Sequence, residues 1–217
     1  MALPAAVLWD MDGTLCDTEP YWIQTEFDLA AELGTEWTKA DALALVGNDL
    51  LSSGDYIRRR WNLDLTPREV VDLLHSRVVD AVLHEEIPWR PGALDLLESL
   101  NDAGVPCALV TMSWEVFALP ILGRLPRGRF DAVVTGDRVP RGKPHPDPYL
   151  AGAAALGVDP AACVAIEDSN TGATSAEAAG CTVITVENHV LIDSAPRRIA
   201  RPSLLGLTPQ DLGALIR

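Results

Sequence analysis

Five short apolar runs, separated by segments of helical pattern, limit this chain to a small set of folds. Each run is continuously hydrophobic, which is typical of parallel strands that are covered on both faces. Strands that alternate with helices predict an α/β fold, with a parallel sheet and helices on both of its faces. The predicted strands are Ala5 to Trp9, Val105 to Val110, Asp131 to Thr135, Cys163 to Ile166 and Cys181 to Val186.

Helices are predicted between and after these strands from their start and stop signals. Glycine after an apolar-periodic segment ends a helix, and a Ser, Thr or Asp before one starts it. The predicted helices are Pro91 to Ala103, Ser113 to Leu122 around Pro120, Pro148 to Leu156 with Asp147 as N-cap, a helix from Ser169 to Ala179, and a short last helix headed by Thr208.

The alternation is interrupted once, by about ninety residues between the first two strands. A single crossover needs far fewer residues, so this interval predicts an insertion. We expect a helical domain at residues 17–87 and a core formed by 1–16 and 88–217. The insertion's predicted helices are Pro20 to Leu33, Lys39 to Val46, Asp55 to Trp61 and a long helix from Pro67, which Thr66 and Glu69 start as a capping box.

Charge and composition exclude several classes of function. The formal charge of −14 disfavours a nucleic-acid partner and an anionic membrane surface. No apolar run is long enough to span a bilayer, and the first residues lack the basic start of a signal peptide, so we expect a cytoplasmic protein. We expect a monomer, with a weak dimer as the alternative. The four cysteines lack metal-ligand spacing and are expected to be buried thiols, with Cys16 the least secure of them.

Polar residues follow four of the predicted strands at their carboxyl ends, where open parallel sheets bind ligands. Lys143 is one of only two lysines in the chain, which makes its position there informative. Magnesium prefers oxygen ligands and bridges carboxylates to phosphate, whereas a lysine, a hydroxyl and backbone amides can hold phosphate oxygens. The residues are Asp10 and Asp12 after the first strand, Thr111 after the second, Lys143 after the third, and Glu167 and Asp168 after the fourth.

This series of motifs resembles the haloacid dehalogenase superfamily, specifically its phosphatases and phosphomutases with a helical cap after the first strand. The resemblance covers essentially the whole chain and implies a Rossmann-like core with an inserted all-helical cap. It is carried by Asp10-Met11-Asp12-Gly13-Thr14, Thr111, Lys143-Pro144 and Glu167-Asp168, in the family's order.

The resemblance implies a role for each of these residues. Asp10 would be the nucleophile that becomes an aspartyl phosphate, and Asp12 the general acid and base. Thr111 and Lys143 would hold phosphate oxygens. Mg²⁺ would be bound by Asp10, the backbone carbonyl of Asp12, Asp168 and, less securely, Glu167, which is alternatively a group behind the ligands.

The resemblance also indicates where the substrate would be contacted. Met11 and Met112 would offer backbone amides to the phosphate. Glu19 and the loop that contains Asn48 lie where this cap type contacts its substrate. No Arg or Lys follows Gly47 closely, although the family's sugar phosphomutases place a cation there for a second phosphate.

Three functions remain open at this point. The first is a magnesium-dependent phosphatase acting on a small phosphorylated metabolite, such as a sugar or polyol phosphate. The second is a hexose phosphomutase similar to the β-phosphoglucomutases, for which Arg58 to Arg60 would have to supply the missing charge. The third is a phosphoacceptor signalling domain of the receiver type, which the length of the chain, the insertion and the late position of Glu167-Asp168 disfavour.

Overall fold

A computed structural model describes residues 3–45, 48–126 and 128–216. Its centre is a sheet of six strands that pair in parallel throughout, in the order β3-β2-β1-β4-β5-β6. The predicted α/β sheet is therefore confirmed. The strands are β1 (Ala6–Trp9), β2 (Cys107–Val110), β3 (Ala132–Val134), β4 (Cys163–Glu167), β5 (Thr182–Val186) and β6 (Arg198–Arg201).

The sheet has an apolar layer on each face, as its continuous hydrophobic strands require. Val7 and Trp9 of β1 pack in one layer, while Ala6 and Leu8 pack in the other. All four are inaccessible to solvent. Strand β6 was not predicted, because its sequence RIAR carries two arginines and lies at the sheet edge, where burial is incomplete.

Five helices of the described residues flank this sheet. Helices α5, α6 and α9 contribute to the layer that contains Val7, whereas α7 and α8 contribute to the layer that contains Leu8. They are α5 (Ala93–Asp102), α6 (Glu115–Leu122), α7 (Asp147–Leu156), α8 (Asn170–Ala179) and α9 (Pro209–Gly213).

Four further helices lie between β1 and α5, where the insertion was predicted. They share an apolar cluster that includes Leu29, Ile57, Val70 and Leu74. The described part of residues 17–87 contains no strand. The helices are α1 (Glu19–Leu33), α2 (Lys39–Leu43), α3 (Leu50–Arg60) and α4 (Pro67–His84).

The chain leaves and re-enters the core through two segments that pair with each other. Asp17 N donates to Pro88 O at 2.9 Å, and Arg90 N donates to Leu15 O at 2.9 Å. Cys16 and Trp89 form an antiparallel bridge between these bonds. These two paired segments lie at the expected domain boundaries. The division of the chain into a core and a cap stays a prediction.

Several helix boundaries differ from the predicted ones for local reasons. Helix α3 begins at Leu50 because Asp49 accepts from Ser52 N and caps it. Asp147 is the first residue of α7 rather than its N-cap, which is Pro146. The predicted end of α2 at Val46 and Gly47 lies outside the described residues. The capping boxes at Thr66 and Thr208 and the helix start at Ser169 are confirmed.

The structure bears on the expectations for the cysteines and for membrane-spanning segments. All four cysteines are free and buried, as expected for structural thiols. No helix among the described residues is long and apolar enough to cross a membrane.

His75 on α4 is buried among aromatic rings where the inserted helices meet the core. Its ring centroid lies 5.4 Å from Trp22, 5.1 Å from Trp114 and 6.4 Å from Phe117. Neither ring nitrogen has a hydrogen-bond partner among the described residues. Burial lowers the pKa of His75 to about 4, with Asp72 opposing the shift. The histidine is therefore neutral in the folded protein.

We expect His75→Phe to make the protein less sensitive to acid. Between pH 6.5 and 4 the unfolded chain protonates this histidine and the folded protein does not, so folding stability is lost as the pH falls through that window. The loss contributed by His75 approaches about 1.4 kcal/mol per pH unit and is absent in the variant. Urea unfolding at pH 7 and pH 5 measures it, with the exposed His84→Phe as control. Equal pH dependence of wild type and His75→Phe would contradict this role.

Candidate active site

The carboxyl ends of β1, β2 and β4, together with the loop after β3, bring the predicted site residues to one edge of the sheet. These strand ends border an open cavity whose other walls come from α1, α3 and α4. The sheet edge contributes Asp10, Asp12, Met112, Ser113, Lys143, Asp168 and Ser169 to the lining.

Lys143 joins two carboxylates at the floor of this cavity. Its Nζ donates to Asp10 Oδ1 and to Glu167 Oε1, both at 2.6 Å. The lysine side chain is only 3% exposed. Burial lowers the pKa of Lys143, but the two carboxylates outweigh this effect and raise it above its usual value. Lys143 is therefore a fixed positive charge.

The acids of the cluster exceed this one charge. Burial raises the pKa of Asp10 to about 7, opposed by Lys143 and reinforced by Glu167 and Asp12. Burial, together with Asp10 and Glu167, also raises the pKa of Asp168 well above its usual value. The cluster therefore favours binding of a further cation.

Glu167 is held by hydrogen bonds to both of its carboxylate oxygens. Besides Lys143, Tyr149 donates to Oε1 at 2.6 Å, while Asp168 N and Ser169 Oγ each donate to Oε2 at 3.2 Å. A Cβ at Gly172 would lie 1.9 Å from Glu167 Oε1, so glycine is required beside this carboxylate. Glu167 is thus fully engaged within the protein.

Asp10, Glu167 and Asp168 together form a donor set that fits a divalent cation. One oxygen from each lies within 4.8 Å of the others, and all three residues are buried. Hard cations such as Mg²⁺ take oxygen ligands of this kind. Gly13 adopts φ +86°, and a Cβ there would lie 1.9 Å from Asp168 Oδ2. The glycine of the first motif thus makes room for the carboxylate of the last.

Asp12 is surrounded by hydroxyl groups. Thr18 donates to Oδ1, while Thr111 and Ser113 donate to Oδ2 at 3.2 and 2.8 Å. Burial raises the pKa of Asp12, and the three hydroxyl groups oppose the shift. Thr111, expected to hold phosphate, bonds to Asp12 in this structure and also accepts from Ser113 N at 3.0 Å.

The residues predicted to contact substrate are distributed around the cavity. Glu19, Asn48 and Met112 line it, whereas the Met11 side chain is fully buried in the core and leaves only the Met11 backbone for contacts. Met112 Sδ accepts from Lys143 N at 3.3 Å, which ties the β2 end to the lysine loop. Gly47, named beside Asn48, lies outside the described residues.

The structure adds several polar residues to the site that were not predicted as such, among them Ser113, Tyr149 and Glu26. Ser113 was assigned to a helix start, yet α6 begins two residues later and its hydroxyl is free to bind Asp12. The sequence around Tyr149 does not mark it as a site residue, because its partner Glu167 is brought to it only by the fold. Glu26 lines the cavity four residues beyond Trp22 and seven beyond Glu19. That spacing places all three on one helix face and was visible in the sequence.

The cavity wall formed by the inserted helices contributes acids but no cation. Among the described residues that line the cavity, Lys143 is the sole lysine or arginine. The arginines of α3 bond to acids of the inserted helices: Arg58 to Asp55 at 2.7 Å, Arg59 also to Asp55, and Arg60 to Asp41 at 3.1 Å. They do not line the cavity.

Comparison with known proteins agrees with this architecture. Residues 7–186 match the family model of haloacid dehalogenase-like hydrolases. Hexitol phosphatase B of Escherichia coli strain K12 is 35% identical over 95% of this chain and 96% of its own length. Fructose-1-phosphate phosphatase of the same strain is 33% identical over 84% of this chain and 96% of its own length.

A solved structure shows the same fold over nearly all of both chains. The crystal structure of CbbY from Rhodobacter sphaeroides in complex with phosphate superimposes with a TM-score of 0.81 and 27% identity, covering 97% of this chain and 99% of that one. The predicted Rossmann-like core is confirmed by this likeness. The family model and the sequence identities together show that the chain belongs to the haloacid dehalogenase-like hydrolases.

Proposed function

We propose that the protein is a magnesium-dependent phosphatase that hydrolyses the monophosphate ester of a sugar or polyol. The observation that carries this proposal is a cavity with Asp10, Asp12 and Lys143 at its floor and no other cation among its described lining residues. Such a cavity suits one phosphate group, held at the floor, and an uncharged remainder. Relatives named hexitol phosphatase and fructose-1-phosphate phosphatase support the same substrate class.

Asp10 is the proposed nucleophile. Its carboxylate attacks phosphorus in line, the phosphorus–oxygen bond of the ester breaks, and an aspartyl phosphate forms. Asp12 gives a proton to the departing oxygen and then takes one from the water that hydrolyses the acyl phosphate. The hydrogen bonds from Thr18, Thr111 and Ser113 support this role because they fix the Asp12 carboxylate.

Positive charge at the phosphate has two proposed sources. Lys143 supplies one of these charges. Thr111 and the backbone amides of Met11 and Met112 supply hydrogen bonds to the phosphate oxygens. Mg²⁺ would supply the other when held by Asp10, Asp168 and the Asp12 carbonyl. Glu167 lies near enough to be a ligand, but its four hydrogen bonds favour holding Lys143 in place.

The inserted helices are the proposed lid of the site. Thr18, which precedes α1, bonds to Asp12, so the entry to these helices is tied to the catalytic floor. Glu19 and Asn48 are the proposed substrate contacts from this side. Closure would exclude bulk water from the aspartyl phosphate until a single water is admitted.

We expect hydrolysis to outrun isomerisation, which separates the phosphatase from the alternative mutase. A mutase holds a bisphosphate in two orientations, and the described cavity lining from the inserted helices offers Glu19 and Glu26 but no lysine or arginine to the phosphate that is not reacting. The test compares phosphate release from hexitol and hexose monophosphates, with magnesium, against conversion of glucose 1-phosphate to glucose 6-phosphate in the presence of a trace of bisphosphate. Faster isomerisation, or no phosphate release from the whole panel, would contradict the proposal.

We expect Lys143→Met to lower kcat at least about a thousandfold, because phosphoryl transfer depends on fixed positive charge. The free energy of unfolding of the variant should also be lower by about 3 kcal/mol, because two buried carboxylates lose their shared cation. The double variant Lys143→Met/Glu167→Gln should regain stability but not activity. Lys39→Met, at the chain's other and exposed lysine, is the control. Near-normal kcat in Lys143→Met would remove the lysine from the mechanism.

We expect Asp168→Asn to weaken magnesium binding at least about tenfold, because it removes a charged oxygen ligand. The measurement is the magnesium-dependent rise in melting temperature, together with the magnesium concentration that gives half-maximal activity. Glu167→Gln is the matched comparison and should alter metal affinity less, because its carboxylate is bonded within the protein. The reverse order of the two effects would exchange the proposed roles of these acids.

A further inference from the structure

Glu26 is a buried carboxyl group in the cavity wall that the proposed chemistry does not use. It lies on α1 and is 5% exposed. Trp37 Nε1 donates to its Oε2 at 3.1 Å, and no Lys or Arg pairs with it among the described residues. Burial raises the pKa of Glu26 to about 8, with the Trp37 hydrogen bond opposing the shift. A buried carboxyl group with one hydrogen-bond partner is destabilising. A ligand in the cavity could provide the further hydrogen bond that offsets this cost.

Trp37 fixes the orientation of this carboxyl group. The indole is buried and packs against Trp61 and Tyr56, with ring centroids 5.2 and 6.0 Å apart. Because Oε2 accepts from Trp37 and Oε1 has no hydrogen bond among the described residues, Oε1 is the oxygen left to bind a ligand in the cavity. Glu26 thus presents one hydrogen-bonding atom in a fixed position.

The surroundings of Glu26 define what could bind it. Leu45, Ile57, Val71 and Leu74 line the cavity with it. Thr18, just before α1, bonds to Asp12 at the floor, and Glu26 lies two helical turns beyond Glu19 on that helix, a rise of about 10 Å. A ligand group beside Glu26 therefore lies well away from the phosphate, between apolar side chains that suit carbon-bound hydrogens.

We propose that Glu26 determines substrate specificity by hydrogen bonding to a hydroxyl group remote from the phosphate, in an uncharged polyol or sugar that is long enough to span the cavity. This inference rests on the proposed function. A hydroxyl can donate to the carboxylate or accept from the protonated acid, whereas a second phosphate or a carboxylate would meet an acid and no cation.

The test compares a hexitol 6-phosphate with glycerol 3-phosphate, whose chain is too short to reach Glu26. Glu26→Leu should lower the hexitol-to-glycerol ratio of kcat/KM at least tenfold, through a higher KM for the hexitol phosphate. Glu26→Gln keeps a hydrogen-bonding group and should stay within about threefold of wild type. Glu36→Leu, at an exposed glutamate outside the cavity, is the matched control.

The ratio measured for Glu26→Leu decides whether Glu26 contacts the substrate. An unchanged ratio in Glu26→Leu overturns the inference, as does an equal loss for both substrates, which would indicate a structural role. Should Glu26→Leu fail to fold, Glu26→Met provides the same comparison with an unbranched side chain. Failure of the proposed function is distinguishable, because wild type would then hydrolyse p-nitrophenyl phosphate but neither polyol phosphate, and the inference would fall with it.

Discussion

The hydrogen bonds of Lys143 to Asp10 and Glu167 are the interaction on which the rest of the site depends. They tie the ends of β1 and β4 to the loop after β3. Without this cation, buried carboxylates would face each other at the sheet edge, where repulsion in a medium of low polarity is strong. One lysine offsets only part of that charge, and the unbalanced remainder is what suits the cluster to magnesium and a phosphoryl group.

The two sides of the cavity divide the proposed work between them. The sheet edge carries the groups proposed to react with a phosphate, and these are fixed by buried hydrogen bonds. The inserted helices carry Glu19 and Glu26 together with apolar side chains, the proposed means of recognising the remainder of the substrate by shape and hydroxyl pattern. Substrate preference can therefore change in the inserted helices without altering the chemistry at the floor.

Much of the fold and the floor of the site could be predicted because the sequence signals for both are local. Apolar runs mark the buried strands, and the residues at their ends are brought together by any parallel sheet. Strand β6 was not predicted because its two arginines interrupt the apolar run that marks a buried strand. Tyr149 was not predicted because only the folded chain brings it to Glu167. The domain boundaries, the site roles, the monomer and the cytoplasmic location stay predictions.

Asp10 is the proposed carrier of the phosphoryl group, and chemical trapping of the intermediate can identify the residue that carries it. The enzyme is mixed with magnesium and a hexitol phosphate radiolabelled in its phosphate, quenched in acid within a turnover, and digested for peptide mapping. We expect label on the peptide that contains Asp10, released by hydroxylamine as is typical of an acyl phosphate, and no label in Asp10→Asn. Label on another residue, or undiminished turnover by Asp10→Asn, would contradict this role of Asp10.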